Sequence, residues 1–457
     1  MAADPSILNL RFGLGFGPDL PAAYSFEELL EPLAGPDRIA ERFPISRYAD
    51  LAPVAQRFRE LRRARRDAPE TERRAIEDEL DAMRERERTR QAESVAAAMA
   101  RAAETRDPLR ERLTYFWADH FTTRGLGPIR RAGVPTYTEE AIRPFVSGSF
   151  ANLLKSAILH PQMLFYLDQS ASVGPNSQLG LQRGQGLNEN LARELLELHT
   201  LGVDGPYDQR DVRQLAELLA GLRADAVGSV TFDQRRGEPG PETVLGRDYG
   251  QRVPDMADVE RVLDDLARHP ATAMHIARKL AVHFVSDTPE PDLVEHVATR
   301  FRETDGALAE VYAALLEHPA AHGPDLEKIK QPWGLLATSF RAMGVPGSYL
   351  TGLRRRRVNS WILRPMADMG QRWMSPSGPD GWPEAAEDWI APQVLAARIT
   401  WAMGLPRMGF EMPEPRGFVE TALGPFASEA TRFAARAAET REEGVALVLL
   451  SPEFQRR

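Results

Sequence analysis

Apolar residues recur along this chain at intervals of three and four, and it sustains no alternation of β-branched with polar residues. Three-and-four spacing gives a helix one apolar stripe, whereas a half-buried strand needs period two, so the pattern commits the chain to helices. Heavy use of Ala, Leu, Arg and Glu points the same way. The expected fold class is all-α: a large multi-helix assembly in one domain over 1–457, around a single core, with a peripheral helical arm and at most a short β-hairpin. A chain of 457 residues, 43% of them hydrophobic, can bury such a core unaided.

Composition narrows the function classes. Cysteine is absent, which removes disulfides, thiolate metal sites and a cysteine nucleophile. Arginine dominates the basic set, but Lys+Arg 57 against Asp+Glu 66 leaves a net charge of −9, so nucleic acid is not an expected partner. No apolar run approaches the roughly 18 residues of a membrane span. The start, Met1-Ala-Ala-Asp-Pro-Ser, has no basic region leading into an apolar core, so a cytoplasmic location is expected.

The stretch Leu187-Asn-Glu-Asn-Leu-Ala-Arg-Glu-Leu-Leu-Glu-Leu-His-Thr-Leu-Gly202 predicts a helix, with Asn188 as N-cap and Gly202 as stop. On it Glu189, Asn190, Arg193, Glu194 and Glu197 share one polar stripe opposite Leu191, Leu195, Leu196 and Leu198. Such a stripe is either a solvated face with i,i+4 ion pairs, each adding about 0.2–0.5 kcal/mol, or a buried functional network. Burial of Arg193 and Glu194 is the expectation here. His199 projects to the apolar side and is expected as a satisfied core histidine.

Several other segments are informative. The glycines at 13, 15 and 17 suggest a packed turn more than a phosphate cradle, because no strand precedes and no helix directly follows them. Residues 55–106, broken at Pro69, predict a charged helical arm with a thin apolar seam. Asp119 and His120 interrupt the aromatic helix Leu113–Phe121, which opens the core over 113–221 that is expected to bear the site. His160-Pro161, His269-Pro270 and His318-Pro319 are each expected to open a helix. Val230-Thr-Phe and Thr243-Val-Leu suggest a short hairpin. In the C-terminal helical part, 255–457, Lys279 belongs to a basic helix flank that should meet anions. Trp373, Trp382 and Trp389 mark a Pro/Gly loop expected to lock onto the core, with a pocket wall as the alternative.

Arg11-Phe-Gly-Leu-Gly, Phe116-Trp-Ala-Asp-His-Phe, His160-Pro with Tyr166-Leu-Asp, the 187–203 stretch, His269-Pro-Ala-Thr-Ala, Ala277-Arg-Lys-Leu, Ser377-Gly-Pro-Asp-Gly-Trp-Pro and Leu450-Ser-Pro-Glu-Phe occur in this order. Together they resemble the bacterial domain-of-unknown-function family eighteen hundred over nearly the whole chain. The resemblance implies a helical fold, frequent export in relatives, and gene neighbourhood with a sulfatase-like family, hence a sulfatase-like protein as partner. It brings no reaction with it. The chain departs from relatives at Asp119, where they usually have Asn, and at Gln169, where many have Asn.

Two function classes stay open. In the first, an enzyme or ligand-binding protein, Asp119, His120, Glu189, Arg193, Glu194 and Glu197 are catalytic candidates, with Asp168, Asn188, Asn190 and Lys279 binding a ligand. A nitrogen and oxygen donor set without sulfur would suit a divalent metal and metal-assisted hydrolysis or oxidation; without a metal, a buried carboxyl beside His120 would be a general acid or base. In the second, the same groups form a salt-bridged network inside a non-catalytic scaffold or partner-binding module.

Overall fold

Prolines and glycines, 35 and 34 of them, cut the helical pattern into many short rods. The computed structural model describes residues 5–21, 24–184, 186–224, 228–250 and 254–457. Residues 1–4, which belong to the start that underlies the cytoplasmic expectation, lie outside them. Each His-Pro opens a helix as expected: Nδ1 of His160, His269 and His318 accepts the N–H two residues on, at 3.1, 3.1 and 3.3 Å. Proline sits at the first helical position in all three.

The protein is all-α apart from two small hairpins. The elements that matter below are α1 (Pro5–Phe12), α2 (Tyr48–Asp67), α3 (Glu70–Glu104), α4 (Pro108–His120), α5 (Gly127–Tyr137), α6 (Phe150–Ile158), α7 (Asn190–Glu194), α8 (Gln209–Leu219), α9 (Met256–Arg268), α10 (Pro270–Phe284), α11 (Pro291–Glu303), α12 (Leu308–Glu317), α13 (Pro332–Ala342), α14 (Pro392–Gly404), α15 (Pro415–Leu423) and α16 (Arg441–Leu449). Among the described residues, no helix is long and apolar enough to cross a membrane.

Buried apolar side chains divide into two large clusters where one core was expected. The first joins α4, α6 and α8 to α12; the second joins the C-terminal half of α3 to α13 to α16. Helix α4 is a wall common to both. Its Leu113 and Trp117 are fully buried in the first cluster, while Tyr115 stacks on Trp333 of the second with ring centroids 4.3 Å apart.

The arm is shorter than 55–106. Helix α2 and the N-terminal half of α3 share only a small seam around Leu61, Leu80 and Met83. From Ala92 to Ala103, however, α3 is core: Val95, Met99 and Ala100 are fully buried. The run of alanines looks weakly apolar in sequence, yet small side chains let α5 and α13 approach α3 closely. The hairpin expectation is also corrected. Val230–Phe232 pairs with Leu222–Ala224, and Glu242–Val244 with Arg247–Tyr249; the two segments do not pair with each other. The second hairpin turns through Leu245 and Gly246, both at positive φ, which fits the strand twist. The glycine run is a packed turn after α1: a Cβ at Gly13 would stand 2.5 Å from the Asn9 carbonyl oxygen.

Buried arginines bind the irregular segments to the helices. Arg341 donates to the carbonyls of Gly15 (3.1 Å) and Thr105 (2.8 Å), and Arg11 to those of Ala321 (2.5 Å) and Asp325 (2.9 Å). A guanidinium has five donors and satisfies carbonyls that short helices and turns leave without partners. The division of α3 into core and arm gives an expectation. Met99→Ala should cost about 2–5 kcal/mol and Arg84→Ala no more than about 0.5 kcal/mol, read by urea unfolding; equal costs would refute the division.

Candidate active site

The last turn of α4 sets Asp119 against the tryptophan loop. Its carboxylate accepts the Trp382 N–H at both oxygens, 3.2 Å to Oδ1 and 3.0 Å to Oδ2. This approach requires glycine next door: Gly381 has φ +87°, and a Cβ there would fall 2.6 Å from Oδ2. Burial pushes the Asp119 carboxyl up to about 7; the Trp382 N–H and Lys279 pull it down, Glu384 and Asp380 push it further up. Beside it lies a cavity of about 20 Å³ lined by Tyr115, Thr122, Thr123 and Trp382, enough for one water. Thr123 Oγ1 is buried there without a hydrogen-bond partner among the described residues.

Lys279 comes to the same place from α10. Burial lowers its pKa, while Asp119, Glu384 and Asp380 raise it. Some of the side chain reaches water, and among the described residues no carboxylate lies within ion-pair distance of its ammonium. The chain has four lysines in all. Lys155 pairs with Asp264 and Lys328 with Asp287, while Lys330 lies over the Phe454 ring at 4.0 Å.

Three histidines back Lys279. His275 Nε2–H donates to the Leu198 carbonyl at 3.0 Å, and His120 Nε2–H to the His199 carbonyl at 3.2 Å. Burial holds them neutral, His199 down to about 3, His275 to about 4 and His120 well below its ordinary value, with Lys279 adding to each shift. His199 is a core histidine as expected, yet neither ring nitrogen finds a hydrogen-bond partner among the described residues; His120 Nδ1 is also without one.

Beneath these groups an ionic network fixes the loop. Lys328 contacts Asp287 and lies 3.3 Å from Glu384 Oε2; Lys328 also donates to the Glu384 carbonyl at 2.6 Å. His283 is the neutral partner. Its Nε2 faces Arg112 (3.4 Å) and Arg457 (3.5 Å), which can only donate, so Nδ1 carries the hydrogen and donates to Glu384 Oε1 at 2.5 Å. Burial would raise the Glu384 carboxyl, but His283 and Lys328 outweigh it and hold it at about 2.

A family model described as Protein of unknown function (DUF1800) matches residues 10–456. The chain belongs to that family. Searches of curated proteins and of solved structures give no match.

In this DUF1800 protein, four of the segments that carry the resemblance meet at one place: Phe116–Phe121, Ala277–Leu280, Ser377–Pro383 and, at the rim, the 187–203 stretch. The last supplies Glu194, half-buried and raised by burial and by Glu197, with Asp380 also acting on it. Tyr166 lies within the electrostatic reach of Glu194, Asp380 and Arg124.

The other expected site residues fall elsewhere. Arg193 is not buried. Its side chain is 39% exposed and bridges Glu189 (3.3 Å) and Glu197 (3.2 Å), which is the solvated i,i+4 ladder. Asn190 and Asp168 are exposed. Asp168 occupies a left-handed turn at φ 54°. Asn188 locks that turn, donating to the Leu167 and Asp168 carbonyls at 3.1 and 3.2 Å and accepting the Asn190 N–H at 2.9 Å. The helix starts at Asn190, with Glu189 in the cap position, and from Leu195 to His199 it widens to a π-turn. Gln169 is a buried staple to the Leu219 carbonyl (2.6 Å). Among the described residues, no three His, Asp or Glu side chains converge as metal ligands, so the side chains present do not fit the divalent-metal expectation.

Sequence reasoning missed Asp380, Gly381, Glu384 and the backbone N–H of Trp382. The signal was the Asp-Gly-Trp run itself, read as a packing loop. Trp373 and Trp389 do lock onto the core, whereas Trp382 walls the small cavity. Because the Glu384 carboxyl is depressed from 4.5 to about 2, the stability it contributes is complete above pH 4.5 and is lost as pH falls through 2. Urea titrations should therefore show Glu384→Gln about 3–5 kcal/mol less stable than the parent at pH 7, with a shallower loss in acid; parallel pH curves would contradict this.

Proposed function

We propose that this chain is an enzyme that works by proton transfer, without a metal, on a polar substrate held at the mouth formed by Glu194, Asp380 and Tyr166. The observation that carries the reading is the meeting of Asp119 and Lys279, from α4 and α10, both half-buried and, among the described residues, without an ion-pair contact. Their pKa values move toward each other, and at about 7 the Asp119 carboxyl lies in the range where proton transfer near neutral pH is efficient. Hydrolysis is the reaction this suits. The Asp119 carboxylate takes a proton from a water in the adjoining cavity as its oxygen attacks the substrate. The Lys279 ammonium stabilises the oxyanion that develops, and Asp119 then returns the proton to the leaving group. The family resemblance implies Asn at this position in relatives, so the reading concerns this chain.

A sulfatase-like partner, implied by the family resemblance alone, is a separate proposal that co-purification would decide.

Four lysines make the test simple. Limiting acylation with an activated ester at pH 7.5, mapped by mass spectrometry, should modify Lys279 before Lys155. Asp119→Asn should accelerate it, because removing the nearby anion lowers the amine pKa further. In a panel of chromogenic esters and glycosides, any hydrolysis found should fall by about 10²–10⁴-fold in Asp119→Asn and in Lys279→Met. Lys279 reacting no faster than Lys155, or hydrolysis that survives both substitutions, would remove the proposal.

A further inference from the structure

A second cavity, of about 360 Å³, opens between the arm and α5. Its floor is apolar: Leu51, Ala55 and Phe58 of α2 face Ile129 of α5 and Phe165 of the helix Pro161–Tyr166. Leu126, 75% exposed, stands at its edge. The rim is cationic, made by Arg59, Arg62, Arg124 and Arg130.

The charges of the rim are unusual for their neighbourhood. On the same pair of arm helices Arg57 pairs with Glu79, Arg65 with Glu77, Arg73 with Glu70, Arg84 with Asp81 and Arg88 with Glu85. None of the four rim arginines has a carboxylate within ion-pair distance among the described residues. Arg66 and Arg74, likewise without one, extend the positive field toward the arm tip. Glu140, the acid beside Tyr48, is already engaged by the Tyr48 N–H at 3.0 Å and faces His160 Nε2 at 3.4 Å. In a chain of net charge −9, a mouth of unneutralised guanidiniums over an apolar floor is complementary to one kind of ligand.

We infer that this cleft binds a small anionic amphiphile: a medium-length apolar chain that lies on Leu51, Ala55, Phe58, Ile129 and Phe165, with a carboxylate, sulfate or phosphate head among the four arginines. The volume is at the lower end of small-ligand sites, about 300–1,000 Å³, which suits one such molecule and not a folded partner. Planar guanidiniums grip oxyanions with two parallel hydrogen bonds, and the floor removes the chain from water. Arg124 also donates to the Ser377 carbonyl at 2.5 Å, in the loop that carries Asp380 and Trp382, so the cleft adjoins the acid–base site without sharing its reactive groups.

Calorimetry with dodecanoate tests this on the full chain. One molecule should bind per chain, whereas acetate, which lacks the apolar chain, and dodecyltrimethylammonium, which lacks the anion, should not. Arg59→Gln/Arg62→Gln, both on the exposed arm, should weaken dodecanoate by at least about tenfold, and Ala55→Trp, which fills the floor, should abolish binding with helicity unchanged. Equal affinity for dodecyltrimethylammonium, parent-like affinity in both variants, or capture of anionic lipid vesicles without binding of free dodecanoate would each overturn the inference. Neither Asp119 nor Lys279 takes part, so this result and that of the acylation experiment are independent.

Discussion

A carboxylate kept charged inside protein must keep its donors and cations, and Glu384 is the carboxylate on which this architecture turns. His283, Lys328 and, at 3.9 Å, Arg457 reach it from three separate segments. The chain around Glu384 thereby becomes rigid, and it is the same chain that offers Gly381 and the Trp382 N–H to Asp119. A buried ionic hub of this kind adds little net stability compared with apolar packing, but breaking one partner leaves the others uncompensated. Its effect is to fix where the loop sits. The position of the loop then decides how far Asp119 is desolvated.

Arginine and lysine divide the work. Arg11, Arg101, Arg341 and Arg398 are almost fully buried and hold carbonyls or carboxylates, a task for a planar group that does not lose its proton. Lysine can lose one. Burial brings Lys330 to about 7 and lowers Lys279 as well, and Lys279 is the one placed beside a carboxyl shifted the other way. The histidines behind it stay neutral and add no positive charge to the place where Lys279 meets Asp119.

Fold class was legible because helix periodicity is local, and so were the three His-Pro caps, whose geometry spans two residues. Asp119, Lys279 and Glu194 were legible as chemistry out of place in their helices. What the sequence could not convey was depth. Arg193 and Glu194 are adjacent on one stripe, yet Arg193 lies in the solvated ladder while Glu194 faces Asp380, and only the tertiary approach of the tryptophan loop separates them. The alanine-rich half of α3 misled in the opposite sense, because small residues carry a weak apolar signal and pack closely. Glu384 and Gly381 were invisible for a different reason: their roles depend on partners in distant segments of the chain, the nearest of them Lys328, 56 positions from Glu384.

The central claim is that Asp119 is a carboxyl poised to exchange a proton near neutral pH, held there by burial and restrained by Lys279. Infrared titration of the carboxyl stretch, with the Asp119 band assigned by its loss in Asp119→Asn, measures this directly. Asp119 should titrate at about 7, and higher still in Lys279→Met because a lowering charge is removed. A carboxyl that titrates near the ordinary 3.8 and is indifferent to Lys279 would contradict the account.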